Sequence, residues 1–471
     1  MPRQTRQPAM LNHGRKPTAG KGAQVYDYRR LRKLGHGLIL RWSTERDVER
    51  IADFAAYVFR DTEEEPPNTF AAAWIRDLGS GRHPLTTADQ GLIVEDTLAG
   101  HQIVASLWLI PTTWTLGGVS FGVGRPEEVA THPAYRRRGL VRALFDAFHA
   151  RSQAEGQLVQ AITGIPYYYR QFGYEYALGL RGERPVRFAD LPAAHDANAE
   201  PYAVREASRG DLPFIRTLYD QDRQRNPVST EIPTAYWEWM VDGAYHPNSW
   251  RVLLIIDQAQ VPCGYILIAA NRWGTALGVV NLAVRDGLSL LAVLLPVLRA
   301  LRAYAPKLPA GHAPTPSAPD HLIFQLGAAH PVYVALGAGL APHVRPPDAW
   351  YVRVADVPGF IRHLAPVLER RLAHSIAAGH SGELTVDLYR GGLHLVFERG
   401  RLMMAEAWQA ASWGRRADAG CPALLFVQLL FGWRSLSELR SIFPDVWASE
   451  AAQPLLEALF PGQPSFVLQL N

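Results

Sequence analysis

Cysteine is almost absent from this chain of 471 residues: Cys263 and Cys421 are the only two, far apart, and neither sits in a Cys-x-x-Cys or Cys/His cluster. That usage excludes a disulfide framework and a zinc site, so no metal is expected, and a soluble, cytoplasmic protein is. Long apolar runs are missing too. The longest, 288–298, is about 11 residues and contains Pro296, against the roughly 20 that a membrane span requires. Residues 1–33 hold no apolar stretch of the kind a secretory signal carries. Neither charge sign dominates, with 48 Lys and Arg against 44 Asp and Glu, a net of +4. The basic excess is concentrated between Arg3 and Lys33, where Asp27 is the single acid. Residues 1–36 therefore read as a disordered basic tail on a nearly neutral body, and nucleic acid is not an expected partner.

What is present is ample apolar material. With 48% hydrophobic and 20% charged residues, the chain can bury enough surface to offset its ordering entropy, and its length calls for two or three domains. The elements alternate between strand and helix patterns. A strand is predicted at 38–42, a helix at 44–59 capped by Thr44 or Ser43, and strands at 92–95, 103–110, 119–123 and 127–131. A helix follows at 140–154 and a strand at 157–163. After a polar stretch at 190–202 the same order returns, with strands at 202–205, 252–256 and 264–269 and a helix at 208–221, as in a second copy of the first unit. A third composition starts near Trp350: a helix pattern at 357–377, a hairpin of 384–388 and 393–397 about Arg390-Gly391-Gly392, helices at 421–431, 435–442 and 449–459, and a final strand at 465–470. The fold class expected is α/β with mixed sheets, divided as 37–190, 200–347 and 348–471.

The chemistry concentrates in Val129-Ala-Thr-His-Pro-Ala-Tyr-Arg136-Arg137-Arg138-Gly139-Leu140-Val141. A strand that ends in an Arg/Gly loop and enters a helix offers free amides and a favourable dipole to an anion, and Gly139 lets the backbone come close. A second element, Tyr167-Tyr-Tyr169-Arg-Gln-Phe-Gly-Tyr174, follows the next strand. Strand alternation puts Glu127 on the face of Val129 and Thr131, with Glu128 on the other. Glu127 is thus the candidate base. The acids Asp61, Glu63, Glu64 and Glu65 and the indoles of Trp74, Trp108 and Trp114 are candidates for a pocket suited to a cationic amine.

These two elements resemble the GNAT acetyltransferase superfamily, whose signature of Arg or Gln, two residues, Gly, one residue, then Gly or Ala is met here by Arg136, Gly139 and Val141, with Val141 larger than the small residue usual there. The resemblance implies acetyl-CoA as co-substrate. Arg136, Arg137, Arg138, Gly139, Leu140 and Val141 would hold its pyrophosphate, the backbones of Val129 and Thr131 its pantetheine arm, and Tyr169 would protonate the departing thiolate. Over most of the chain the order of units resembles the Eis-type arrangement: an active GNAT domain, a degenerate second one, and a smaller α+β domain like a sterol carrier protein. In the second unit the counterpart loop, 282–289, carries Asp286, and the counterpart of Tyr169 is Val334; that unit should not bind coenzyme A. The resemblance further implies an amine acceptor, a homo-oligomer, and a question whether Asn471 reaches the active site. The competing reading is a catalytically silent coenzyme A-binding or apolar-ligand carrier protein.

Overall fold

The computed structural model describes residues 30–471 apart from 61, 63, 195–199, 244–248, 312–316, 346–347 and 410–416. Most of the basic tail, and Asp61 and Glu63 of the acidic run, lie outside the described residues.

The first stretch gives β1 (Arg32–Gly35), β2 (Leu38–Trp42), α1 (Val48–Val58), α2 (Thr69–Leu78), β3 (Gly91–Asp96), β4 (Gln102–Leu116), β5 (Val119–Thr131), α3 (Leu140–Ala154), β6 (Val159–Ile162) and β7 (Glu175–Leu180). Thr44 begins the first helical segment as expected: it forms a capping box with Asp47, and a 3-10 turn over 45–47 runs into α1. The sequence reading passed over α2, which starts where the Asn68 side chain accepts from the amides of Phe70 and Ala71, each at 3.0 Å. Ile51, Ala52 and Ala55 of α1 and Ile75 and Leu78 of α2 are fully buried against the sheet. The strands expected at 119–123 and 127–131 are one continuous β5.

The second stretch gives β8 (Glu183–Arg187), β9 (Tyr202–Glu206), α4 (Leu212–Arg223), β10 (Val228–Glu231), α5 (Thr234–Val241), β11 (Trp250–Asp257), β12 (Pro262–Ala269), β13 (Ala276–Val284), α6 (Leu290–Tyr304), β14 (His321–Gln325) and α7 (Pro331–Leu340). The third gives β15 (Asp348–Val354), α8 (Val357–His363), α9 (Ala365–Ala373), β16 (Gly382–Asp387), β17 (Gly392–Glu398), β18 (Arg401–Trp408), β19 (Ala419–Gly420), α10 (Ala423–Leu430), α11 (Leu436–Ile442), β20 (Trp447–Ala448) and α12 (Ala452–Leu459). The single helix expected over 357–377 breaks at Leu364, because Pro366 supplies no amide to the turn before it. The expected hairpin forms, with Asp387 opposite Gly392.

The strands build three sheets with the orders β1-β2-β3-β4-β5-β6-β15-β7, β8-β14-β13-β12-β11-β9 and β18-β17-β16-β19-β20. Two strands cross the divisions read from the sequence. β8, inside 37–190, pairs with β14 of the second sheet, whereas β15, from the start of 348–471, is antiparallel to both β6 and β7 of the first. β10 also joins the first sheet, taking over the end of β4 at Thr113 to Leu116, past the last pairing of β3 at Trp108. Trp350 of β15 is fully buried, edge-on to Trp114 of β4 at 5.4 Å between centroids.

Segment 465–471 does not pair as the expected strand. Side chains take its carbonyls instead: Thr230 donates to Leu468 at 2.6 Å, the Trp250 indole to Gln469 at 3.1 Å, Arg125 to Leu470, and Tyr236 to Asn471 at 2.6 Å. No described helix is long and apolar enough to cross a membrane.

Candidate active site

β5 and β6 run parallel but pair only at Val123 with Val159 and at Gly124 with Gln160. Beyond Gly124 they diverge, so the edge of β5 from Arg125 to Thr131 that faces β6 has no strand partner among the described residues. A cavity of about 600 Å³ opens there, lined by Val129, Ala130, Thr131, Arg136, Arg137, Gly139, Leu140, Val141, Arg142, Tyr168 and Tyr169 among others. Of the sequence-predicted cofactor residues only Arg138 does not border it; its guanidinium lies over the Tyr135 ring at 4.6 Å and donates to the carbonyl of Ala134 at 3.2 Å.

The loop geometry suits an anion. Gly139 caps α3 in the left-handed region at φ 74°, and the first helical bond is Ala143 N–H to Gly139 O, which leaves the amides of Leu140, Val141 and Arg142 outside the helical ladder. A Cβ on Gly139 would meet no protein atom within 4 Å. The glycine is therefore required by its backbone angle and not by crowding from the protein. Arg137 is also left-handed, at φ 62°, and Arg136, Arg137 and Arg138 are exposed at the rim. The sequence reading missed Arg142, one turn along α3, and Gln171, which approaches it at 3.5 Å. The buried Thr131 hydroxyl has no partner among the described residues, which fits a slot meant to receive a polar chain. Coenzyme A, with its pyrophosphate and amide-bearing arm, fits this donor set.

Tyr169 borders the slot from the turn after β6. Its ring is buried at 5% exposure among Phe145, Tyr168 and Tyr351, and its hydroxyl has no hydrogen-bond partner among the described residues. Burial first, then the Glu127 carboxylate, pushes the phenol well above its ordinary range. Tyr351 belongs to β15, so the returning strand supports the tyrosine from behind.

The alternation that paired Glu127 with Val129 fails at a bulge. Ser106 faces Ala130 but Trp108 faces Glu127, so Glu128 and Val129 together oppose one residue of β4, and Glu128 adopts φ 51°. Glu127 forms a tight ion pair with the buried Arg125 and borders neither cavity. Glu128 opens instead on a second, larger cavity of about 880 Å³ on the other side of β5. Burial, then repulsion from Glu127, pushes its carboxyl up to about 8, and its buried Oε2 has no partner among the described residues. Phe59, after α1, borders both cavities. Trp74 lines the larger one, but Trp108, whose indole donates to Thr86 at 2.6 Å, and Trp114 are core residues. Glu64 and Glu65 are exposed and line neither. Asn471 lines the larger cavity; His83 Nε2 approaches its carbonyl at 3.3 Å.

In the second sheet, β13 and β14 repeat the parallel pair, ending at Val279 with Phe324. The loop into α6 is short, and the Ser289 cap serves its own helix, accepting from Ala292. Val334 is 86% exposed on α7, while the neighbouring Tyr333 hydroxyl donates to Gly182 at 2.6 Å and accepts from Leu326 at 3.0 Å.

Residues 40–177, which hold the splayed strand pair, the helix N-terminus and the buried tyrosine, match the acetyltransferase (GNAT) domain family. The chain carries that domain and is an acyltransferase. Similar solved structures cover nearly all of it. They include a GCN5-related N-acetyltransferase of Kribbella flavida (TM-score 0.61, 19% identity, 92% of this chain and 100% of that one), a probable N-acyltransferase of Enterococcus faecalis (0.62, 15%, 91% and 98%) and Eis1 of Mycobacterium abscessus (0.54, 13%, 92% and 100%). At these identities the likeness is one of fold. No curated protein matches the chain.

Proposed function

We propose that this protein transfers the acetyl group of acetyl-CoA to the nitrogen of a primary amine by direct attack, with Glu128 as base and Tyr169 as acid. One observation carries the reading: the slot that suits coenzyme A and the large cavity meet across the β5 bulge, where Glu128 borders one and Val129 the other. Acetyl-CoA supplies the activated thioester. The amides of Leu140, Val141 and Arg142 and the rim arginines hold its pyrophosphate, and the unpaired edge of Val129 to Thr131 aligns its arm and offers N–H groups to the developing oxyanion. An amine in the larger cavity gives a proton to Glu128, its nitrogen bonds to the acetyl carbon, and the carbon–sulfur bond breaks. The thiolate takes the Tyr169 proton. The burial that raises the phenol also raises the basicity of a thiolate in the same slot, so the two remain matched.

In this reading Glu127 is the partner of Arg125, and its charge keeps Glu128 basic. The three sheets represent an active GNAT unit, a scaffold copy that binds no coenzyme A because its counterpart loop into α6 is short and carries Asp286, and a module like a sterol carrier protein, in an Eis-type, cytoplasmic homo-oligomer. Thiol release from acetyl-CoA across a panel of amines tests the activity; coenzyme A binding without release by any amine would favour the silent carrier.

A further inference from the structure

The larger cavity constrains the amine, an argument that rests on the acyl-transfer reading above. Its described walls carry six aromatic side chains, Phe59, Phe70, Trp74, Trp250, Trp273 and Phe466. They carry only two side-chain carboxylates, Glu128 and Glu183, against two guanidiniums, Arg181 and Arg272. Glu183 is already committed, to Arg345 at 2.9 Å and Gln325 at 2.6 Å. Arg272 is buried and donates to the carbonyls of Leu308 at 3.3 Å and Ser317 at 2.6 Å, with no carboxylate bound to it among the described residues. Among the described lining side chains, Glu128 is therefore the one carboxylate without a cation: the side chains give the cavity a place for one basic nitrogen.

The aromatic wall is built in. Trp273 lies against β13 so closely that a Cβ on Gly278 would stand 2.5 Å from its ring, which only glycine avoids. The Trp74 indole N–H is buried without a partner among the described residues. We propose that the acceptor is a monoamine with an aromatic or similarly bulky apolar body, its nitrogen at Glu128 and its body against Phe70, Trp74 and Trp273. A polyamine or amino sugar would set further ammonium groups among rings and beside the Arg272 guanidinium, with no second free side-chain carboxylate among the described lining residues to receive them. Ring faces attract a cation, but each added charge faces the same uncompensated arginine.

Calorimetric titration of the coenzyme A-saturated protein with 4-phenylbutylamine and with spermidine tests this. The aryl amine should bind at least tenfold more tightly, Phe70→Ala should weaken it at least fivefold without affecting spermidine, and Phe70→Asp, with its fold checked by circular dichroism and coenzyme A binding, should narrow or reverse the preference. Spermidine binding as tightly as the aryl amine to the unaltered protein would overturn the inference. Thiol release separates the two claims. An aryl amine that binds but is never acetylated sinks the transfer reading and leaves the ligand class standing, whereas acetylation of spermidine in preference does the reverse.

Discussion

Glu128 and Val129 are consecutive in β5 yet border different cavities, because the bulge at Glu128 gives β4 one residue to oppose two. A carboxyl held up to about 8 is mostly protonated at neutral pH. As a base it acts only when ionised, so kcat/KM should rise with pH along a limb of apparent pKa near 8. Glu128→Gln should lower kcat about 10²- to 10³-fold and flatten that limb. A variant whose pH profile keeps the same limb would remove Glu128 from the proton path.

The Tyr169 hydroxyl makes no hydrogen bond among the described residues, so Tyr169→Phe should leave thermal stability nearly unchanged. It should reduce kcat at least tenfold with little change in KM for acetyl-CoA. A fall in Tm of many degrees with kcat intact would make the ring a packing residue only.

Gly139 tests the anion loop. Alanine at φ 74° carries a strain of roughly 1–2 kcal/mol, and its methyl group would point into open space where the pyrophosphate is expected. Gly139→Ala should raise KM for acetyl-CoA at least fivefold, with kcat at saturation changed less than twofold.

The loop from Arg136 to Val141 and the helix that starts at Leu140 were legible because the chemistry is local: glycine at a positive φ, arginines at the rim, and apolar residues at helical spacing all fall within one short segment. The exchange of β8 and β15 was not. Neither Glu-Arg-Pro-Val-Arg of β8 nor Asp-Ala-Trp-Tyr-Val-Arg-Val of β15 carries a pattern that names its sheet, and their partners lie more than a hundred residues away, at β14 for one and at β6 and β7 for the other. Composition shifts marked Trp350 as a beginning, whereas packing sets it in a core shared by the first sheet and the third stretch. The face of Glu127 was misread for a similar reason. Period-two alternation assumes a regular strand, and nothing in Pro126-Glu-Glu-Val announces the extra residue that turns Glu128 toward the cavity. Asn471 could be placed only once Arg125, Tyr236 and His83, from three distant segments, were seen to converge on it and its neighbour Leu470.

That exchange predicts a dependence of the first sheet on the third stretch. Trp350 is fully buried between Trp114 and the Arg125 guanidinium, which lies 5.4 Å from its ring. Trp350→Ala should cost about 3–5 kcal/mol and, through Tyr351, disturb the packing of Tyr169. Chemical denaturation and acetyl-CoA turnover should therefore fall together, although position 350 lies outside both cavities.

Acid should destabilise the fold early. Burial lowers His83 to about 4, His149 to about 3 and His330 to about 4. Each of these folded values is below the unfolded value near 6.5, so the unfolded chain binds the extra protons, and stability present above pH 6.5 is lost as pH falls toward 4. Glu128 and Asp77, raised to about 8 and about 6, act in the opposite sense, since for them the folded state binds protons more readily. The three histidines outweigh those two between pH 6.5 and 5. There Glu128, joined by Asp77 below about pH 6, is protonated in the folded state while still ionised in the unfolded one, and the two return up to about 2.7 kcal/mol per pH unit against up to about 4.1 from the three histidines. The net loss over that window should be on the order of 1–2 kcal/mol. Denaturant midpoints measured from pH 7 to pH 5 should fall, and His83→Gln, which keeps a donor for the Asn471 carbonyl but cannot take up a proton, should make that fall shallower; an unchanged slope would mean that His83 protonates without loss in the folded protein.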